Sequence, residues 1–484
     1  VTVTGAVLRG VKGIPISVEV EFLNRLPAMV IVGLPPRGVK ETSERVRSAI
    51  EACGINFPRR CIIVNLGPAD VKKDGAGLDL PIALAVLAAD GHIPADKLND
   101  IIVFGELSLS GELRPARGVL PMALLARSLG KTLLVPTASR VKAELVPGAS
   151  VTSAHMLRDI IAQVDRVLDK VPSIPPRPHQ PHDLDLSDVR GQPKACLGMQ
   201  IAAAGRHTLL FVGSPGCGKS MLARRMTTVL PSLQPWEALE ASVIHDAAGL
   251  IGDNNDALLL VERPFRTPHH SITVAGMIGD RTLRPGEVSL AHHGVLFLDE
   301  VAEFSRSTLE ALRPPLKAKC AHHPVNGEMV STPADLQLVM ATNPCPCGFL
   351  GQPTCRCTPE MITRYRNRVP DSDMQIELLP NLRAVNGEPG PTSASVRAKV
   401  EAARAFQRAR GQVIPNAELE RGEIEGGLHP FVLEQTKDAT CELGQCSSDL
   451  LLKILRIART VADLKECMLI TREHIQAAMD FVRP

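Results

Sequence analysis

The sequence predicts an α/β chain: a mixed α/β unit first, a parallel α/β core second and a helical carboxyl-terminal part last. Three observations carry this. Apolar, β-branched runs alternate with helix-length stretches through the amino-terminal part. A short apolar strand runs straight into a glycine-rich turn at Gly213–Ser220 and then into a helical pattern. From about Thr392 onward, apolar residues recur at three- and four-residue spacing, the stripe of helices that bury one face.

Taken in order, Ile16–Val20, Met29–Val32, Ile62–Val64 and Ile101–Phe104 read as strands, and Val39–Cys53, Leu80–Ala89 and Leu120–Leu129 as helices. The stretch VPSIPPRPHQP, Val171–Pro181, follows; its prolines fix φ and remove backbone donors, which favours an extended spacer. Thr208–Val212 and Val295–Leu298 read as short buried strands of a parallel sheet. Ser393–Arg410 and Asp449–Leu464 read as amphipathic helices. The expected division is 1–170, a linker at 171–187, a nucleotide unit at 188–390 and a helical unit at 391–484.

The bulk numbers narrow the class. A chain of 484 residues, 44% hydrophobic and 22% charged, has an ordinary globular composition and length for more than one core. The longest apolar stretch, Leu80–Ala89, falls far short of the ~18 residues that span a bilayer, so no membrane segment is expected. No secretory leader is read at the amino end, and a cytoplasmic location is expected. Its twelve cysteines are then expected to be reduced. A net charge of +2 leaves any attraction to nucleic acid to local basic faces.

Strand, turn and helix around GSPGCGKS make a complete phosphate-binding loop of Gly213, Ser214, Pro215, Gly216, Cys217, Gly218, Lys219 and Ser220. Backbone N–H groups and the helix N-terminus suit phosphates, Lys219 is placed for the β- and γ-phosphates, and Ser220 for Mg²⁺. This pattern predicts ATP binding. GVLFLDE, Gly294–Glu300, ends a second strand in two carboxylates: Asp299 for the Mg²⁺ shell and Glu300 for the attacking water. Asn343, after the apolar run in LVMATN, is placed to sense the γ-phosphate or position that water; an ordinary strand-end asparagine is the alternative. Cys217 in the loop is a small tolerated residue that could still make binding sensitive to thiol reagents.

Cys345, Cys347, Cys355 and Cys357 form two C-x-C pairs in a Pro- and Gly-rich loop, suited to a structural Zn²⁺ site, with reduced loop thiols as the alternative. The adjacent pairs His269–His270 and His292–His293 read as hydrogen-bonding residues, since neighbours on a strand face opposite ways and no carboxylate pattern accompanies them. Candidate phosphate-backbone contacts are Arg263, Arg266, Arg281 and Arg284, then Lys317 and Lys319. The basic helix carrying Arg397, Lys399, Arg404, Arg408 and Arg410 reads rather as a solvated face. With 3% aromatics there is no stacking platform for single-strand base reading.

The strings VRGQ (Val189–Gln192), RPFRTPHHSI (Arg263–Ile272), RPGEVSLAHHGVLFLDE (Arg284–Glu300), NPCPCG (Asn343–Gly348) and ARTVADL (Ala458–Leu464) together resemble the magnesium-chelatase-like AAA+ proteins, specifically the YifB/ComM branch. VGLPPRGVKETSERVRSAI, NLGPADVKKDGAGLDLPIAL and FGELSLSGELRPARGVLP are similar to the same branch, so the resemblance covers nearly the whole chain. It implies a P-loop AAA+ core with a helical C-terminal lid, preceded by a Lon-protease-like, S5-type α/β domain. It further implies a homo-hexameric ring that binds ATP and Mg²⁺, contacts DNA without sequence preference and acts as a branch-migration helicase in recombination and natural transformation.

Two departures bear on activity. Where Lon-type enzymes carry their serine this chain reads KDGAGLDL, with Gly77 near the nucleophile position, and the partner-lysine stretch RPARGVLP has no lysine, so a structural or ring-assembly role is expected. After RYRNR (Arg364–Arg368), the family's arginine-bearing segment is replaced by VPDSDMQIEL, and Asp449 stands where the family pattern places an arginine. Such arginines stabilise charge on the transferred phosphoryl group, so ATP binding is better supported than turnover. Arg364, Arg366, Arg368, Arg456 and Arg459 are the available substitutes. A protein-remodelling ATPase and an ATP-binding scaffold with impaired hydrolysis stay open beside the DNA motor, with a peptidase more distant.

Overall fold

The computed structural model describes residues 1–69, 71, 73, 76–162, 184–252, 259–325, 327–378, 387–425 and 448–482. In the amino-terminal part, the β-branched runs become β1 (Thr2–Arg9), β2 (Lys12–Leu23), β3 (Ala28–Val32), β4 (Cys61–Gly67), β5 (Ile101–Val103), the small pair β6 (Glu106–Leu107) and β7 (Leu113–Arg114), β8 (Thr132–Pro136) and β9 (Ser150–Ala154). Seven of them form one mixed sheet in the order β3-β4-β2-β1-β5-β8-β9. β2 pairs antiparallel with β1 and β4, and the other pairs are parallel. The helices are α1 (Pro36–Ala52), α2 (Asp79–Ala89), α3 (Val119–Ser128), α4 (Arg140–Glu144) and α5 (Leu157–Ala162). Helix α2 is apolar all round and buried from Asp79 to Ala88, which explains why no single stripe was visible in its sequence.

The second sheet is all parallel, in the order β11-β12-β15-β10-β16. Its elements run α6 (Pro193–Gly205), β10 (Leu209–Val212), α7 (Lys219–Val229), α8 (Pro235–Ala247), β11 (Phe265–Arg266), α9 (Val274–Ile278), α10 (Glu287–Leu290), β12 (Val295–Leu298) and α11 (Arg306–Ala318). The antiparallel hairpin β13 (Cys320–Val325) and β14 (Glu328–Pro333), then β15 (Gln337–Thr342), α12 (Pro359–Arg366) and β16 (Met374–Glu377) complete it. Every residue of β10, β12 and β15 is buried, as a sheet covered on both faces requires. Thr208 lies just outside its expected strand because its amide and hydroxyl both donate to the Asp373 carboxylate.

The carboxyl-terminal part folds as α13 (Ser393–Ala409), α14 (Arg421–Glu425), α15 (Ser448–Leu464) and α16 (Arg472–Met479). α13 and α15 share one hydrophobic core with α6, α7 and the parallel sheet. Val171–Pro181, read as a spacer, lies outside the described residues. Within the stretch read as the spacer's end, Leu186 joins this core: it is fully buried, and its amide donates to Ser393 Oγ at 2.8 Å. No helix among the described residues is long and apolar enough to cross a membrane.

The two sheets meet through α8. Its Val243, Ile244 and Ala247, with Ala248 and Leu290, join a core built mostly from the amino-terminal part, including Val119, Leu120, Met122 and Val135. Within that interface Lys142 Nζ donates to Asp246 Oδ1 at 3.0 Å, with both side chains almost wholly buried.

Candidate nucleotide-binding site

Three adjacent parallel strands, β12, β15 and β10, end side by side at Asp299, Asn343 and Gly213, so the topology gathers three distant motifs at one carboxyl edge. That edge is where open α/β sheets bind ligands. Beyond β10 the chain turns through Gly216 (φ 77°) and Gly218 (φ 95°), left-handed conformations that glycine adopts without a steric penalty. Gly213 is also constrained, since a Cβ there would lie 2.5 Å from Cys217 Sγ. α7 then begins at Lys219, directing its free amides back at the loop.

The Lys219 ammonium donates to Gly213 O at 2.7 Å, Ser214 O at 3.1 Å and Asn343 Oδ1 at 3.1 Å. All three acceptors are neutral, so its positive charge is oriented without being cancelled. Ser220 Oγ donates to Asp299 Oδ2 at 2.6 Å, giving a hydroxyl and a carboxylate oxygen together, the hard donor set that suits Mg²⁺. Glu300 follows in the left-handed region (φ 50°), its amide donating to Asp299 Oδ1 and its side chain half-exposed. His270 Nδ1 lies 3.9 Å from Glu300 Oε2, a neighbour that sequence reasoning missed because the two residues are thirty positions apart. Phosphate loop, cation, hydroxyl–carboxylate pair and water-facing carboxylate thus fit a magnesium-bound nucleoside triphosphate.

Cys217 is buried, and burial pushes its thiol up from the usual range, which fits a small tolerated residue rather than the alternative of a thiol-sensitive one. A cavity of about 320 Å³ lies beside Asn343, with Tyr365, Asp371, Asp373 and Lys453 on its wall. Lys453, not singled out in the sequence, donates to Asp371 and to Ser372 O from a position one helical turn beyond Asp449. Asp449 itself is exposed in the first turn of α15. Of the substitute arginines, Arg456 donates to Leu419 O, and buried Arg459 is taken up by Asp463, Met468 O and Cys467 O. Arg364, Arg366 and Arg368 are exposed on and just after α12.

The basic candidates divide in the same way. Arg263 is buried against Glu237, Pro231 O and His293 O, which removes it from solvent, while partly exposed Arg266 is held in a two-bond pair with Glu287. Lys319 pairs with Glu418. Arg281, Arg284 and Lys317 are exposed. On α13, Arg397 and Arg404 donate to Thr228 O and Ala203 O and Arg410 to Asp463, leaving Lys399 and Arg408 exposed.

The histidine pairs do serve as hydrogen-bonding residues, His269 with Ser271 and His292 and His293 with Glu240, but the reason given for that reading needs correcting. Neither pair lies on a strand. His293 has φ 57°, which breaks the alternation of sides, so both rings of His292–His293 reach one carboxylate, Glu240, at 3.4 and 2.8 Å. In the amino-terminal part, a Cβ on Gly77 would lie 3.0 Å from the Phe104 ring, and neighbouring Asp79 is buried in a pair with Arg45. Packing and a buried ion pair therefore fill the surroundings of Gly77.

Together these features define a P-loop AAA+ core with a helical carboxyl-terminal part, preceded by a Lon-protease-like α/β domain. Three family models match the chain: Subunit ChlI of Mg-chelatase at residues 18–139, Magnesium chelatase, subunit ChlI at 185–380, and Magnesium chelatase, subunit ChlI C-terminal at 390–482. The uncharacterized protein YifB of Escherichia coli K12 is 38% identical, and the competence protein ComM of Haemophilus influenzae 37%, each over 98% of this chain and 95% of the relative. A Lon protease of Chloroflexus aurantiacus is 31% identical over 182 residues, 36% of this chain and 21% of its own length. The chain belongs to the YifB/ComM family of magnesium-chelatase-like AAA+ proteins. That membership implies ATP and Mg²⁺, and proteins of this class typically work as oligomers.

Proposed function

We propose that the protein is an ATP-driven ring that remodels branched DNA, a branch-migration helicase of the ComM type built as a homo-hexamer. The observation that carries the reading is the meeting of Lys219, Ser220, Asp299, Glu300 and Asn343 at the ends of three adjacent strands. In this reading the Gly213–Ser220 loop and Lys219 bind the phosphates of ATP. Ser220 and Asp299 hold Mg²⁺, which supplies charge neutralisation when bound. Glu300 orients the attacking water and accepts its proton, while Asn343 keeps Lys219 aimed at the phosphates. Arg364, Arg366 and Arg368, exposed beside the Asn343 strand end, supply the cation for a neighbouring subunit's site. Arg281, Arg284 and Lys317 supply sequence-independent phosphate contacts.

A second reading, an ATP-binding scaffold with impaired hydrolysis, is favoured by exposed Asp449 and by the internal bonding of Arg456 and Arg459. Steady-state ATP hydrolysis, alone and with forked DNA, separates the two. The motor requires hydrolysis that DNA stimulates, that Glu300→Gln abolishes without loss of ATP binding, and that triple alanine replacement of Arg364, Arg366 and Arg368 cuts by roughly 10³-fold or more. ATP binding without turnover in the unmodified chain would leave the scaffold.

A further inference from the structure

Just beyond Asn343, four sulfurs stand outside the nucleotide chemistry. Cys345 follows the strand end by two residues, and the loop turns back through Gly348 and Gly351, both with φ 81°, to bring Cys355 and Cys357 beside it. The Sγ atoms of Cys345 and Cys347 are 3.4 Å apart, those of Cys345 and Cys355 3.9 Å, and those of Cys347 and Cys355 3.6 Å. All four sulfurs lie within 4.8 Å of one another. None is joined in a disulfide, whose S–S bond is about 2.05 Å long. A tetrahedral ion with Zn–S bonds of about 2.3 Å sets its sulfurs about 3.8 Å apart, close to the 3.4–3.9 Å among Cys345, Cys347 and Cys355, with the Cys357 sulfur within 4.8 Å of each.

We infer that these four thiols, each giving up its proton, hold one Zn²⁺, and that the closed loop braces the nucleotide site. The donor set is all sulfur and tetrahedrally spaced, which selects zinc over the oxygen-seeking Mg²⁺ of the neighbouring site. The brace follows from contact. A Cβ at Gly348 would lie 2.7 Å from Pro215 Cδ, 2.9 Å from Pro215 Cγ and 3.8 Å from Asn343 Cγ, so the cysteine loop lies against both the phosphate loop and the residue holding Lys219. A mobile loop at this point would leave Pro215 and Asn343 without that wall. The bracing half of the inference rests on the ATP-binding reading; the metal half does not.

The test is elemental analysis of the purified full chain, paired with fluorescent-ATP binding. One equivalent of zinc is expected per chain, lost in Cys347→Ser and Cys355→Ser, retained in Cys355→His because imidazole also ligates zinc, and unaffected in Cys53→Ser. Stripping the metal from the unmodified chain with a mercurial and a chelator is expected to weaken ATP binding roughly two- to thirtyfold while circular dichroism is preserved. Metal-free folded protein whose four thiols all react with a disulfide reagent overturns the site. Zinc present, with ATP affinity unchanged on its removal, overturns the brace. Zinc present in a chain that never binds ATP refutes the nucleotide reading instead.

Discussion

Lys219 keeps a full positive charge among neutral oxygens, while Ser220 spends its hydroxyl on Asp299, so the two residues should fail differently when replaced. Lys219→Ala is expected to weaken ATP binding at least about tenfold with or without Mg²⁺, since a charged hydrogen-bond donor is lost. Ser220→Ala is expected to lose chiefly the Mg²⁺-dependent part of the affinity. Titrating fluorescent ATP with and without Mg²⁺ distinguishes the two, and equal losses would count against the assignment. Both residues were legible in the sequence because the loop is one continuous string, and its partners Asp299 and Asn343 each close an apolar strand. His270 and Lys453 were not, since proximity across elements leaves no periodic trace. The buried histidines set the acid response: burial pushes both His207 and His292 down to about 4 from the ordinary 6.5, and lowers His245, His323 and His474 as well. Between pH 6.5 and 4 the unfolded chain binds more protons at these sites, so stability is full above that window and falls as pH falls through it. At pH 5 His207 and His292 should each cost about 2 kcal/mol. Urea midpoints equal at pH 7 and pH 5 would contradict this.

One short segment joins the phosphate-loop helix to the carboxyl-terminal helices. Arg225, on α7, donates to Asp188 at 2.5 Å and to Asp185 O at 2.7 Å. The Asp185 carboxylate accepts the Ser187 amide at 2.8 Å and the Ser393 amide at 3.2 Å, capping both the 186–188 turn and the start of α13. Thr228, near the end of α7, shares its hydroxyl with Ser393 at 2.7 Å. Movement of α13 is thereby tied to α7, and α7 begins with Lys219. Arg225→Ala removes the donor shared by the exposed Asp188 carboxylate and the Asp185 carbonyl, which should loosen the tie between the two helices, lowering the melting temperature and ATP affinity together. Thermal unfolding with and without ATP checks this; a variant that melts like the unmodified chain in both conditions would show that the segment carries no coupling. The proline-rich composition of the preceding stretch gave no sign of this junction, because its anchor, Ser393, lies more than two hundred residues downstream.

The amino-terminal and nucleotide units are coupled by packing that neither half discloses in its own sequence. On α8, Asp246 is paired with Lys142, 104 residues away, and its second oxygen accepts the Leu120 amide at 2.8 Å. Taking both charges out of water is costly, and only their pairing and hydrogen bonds offset it. Breaking the pair from one side therefore strands a buried charge. Asp246→Ala should destabilise the chain by about 3–5 kcal/mol and release the amino-terminal part from the ATPase core. The double replacement Lys142→Met with Asp246→Leu removes both charges and should recover much of that loss, short of the Leu120 amide left without its acceptor. Urea unfolding of both variants, with limited proteolysis as the probe of release, decides the matter. If the single and double variants were equally unstable, the ion pair would not be what joins the units, and the junction would rest on the apolar contacts of Val243, Ile244, Ala247, Ala248 and Leu290 with the Arg9–Glu328 pair. If the double variant is restored, the buried pair is what fixes the amino-terminal part to the nucleotide unit.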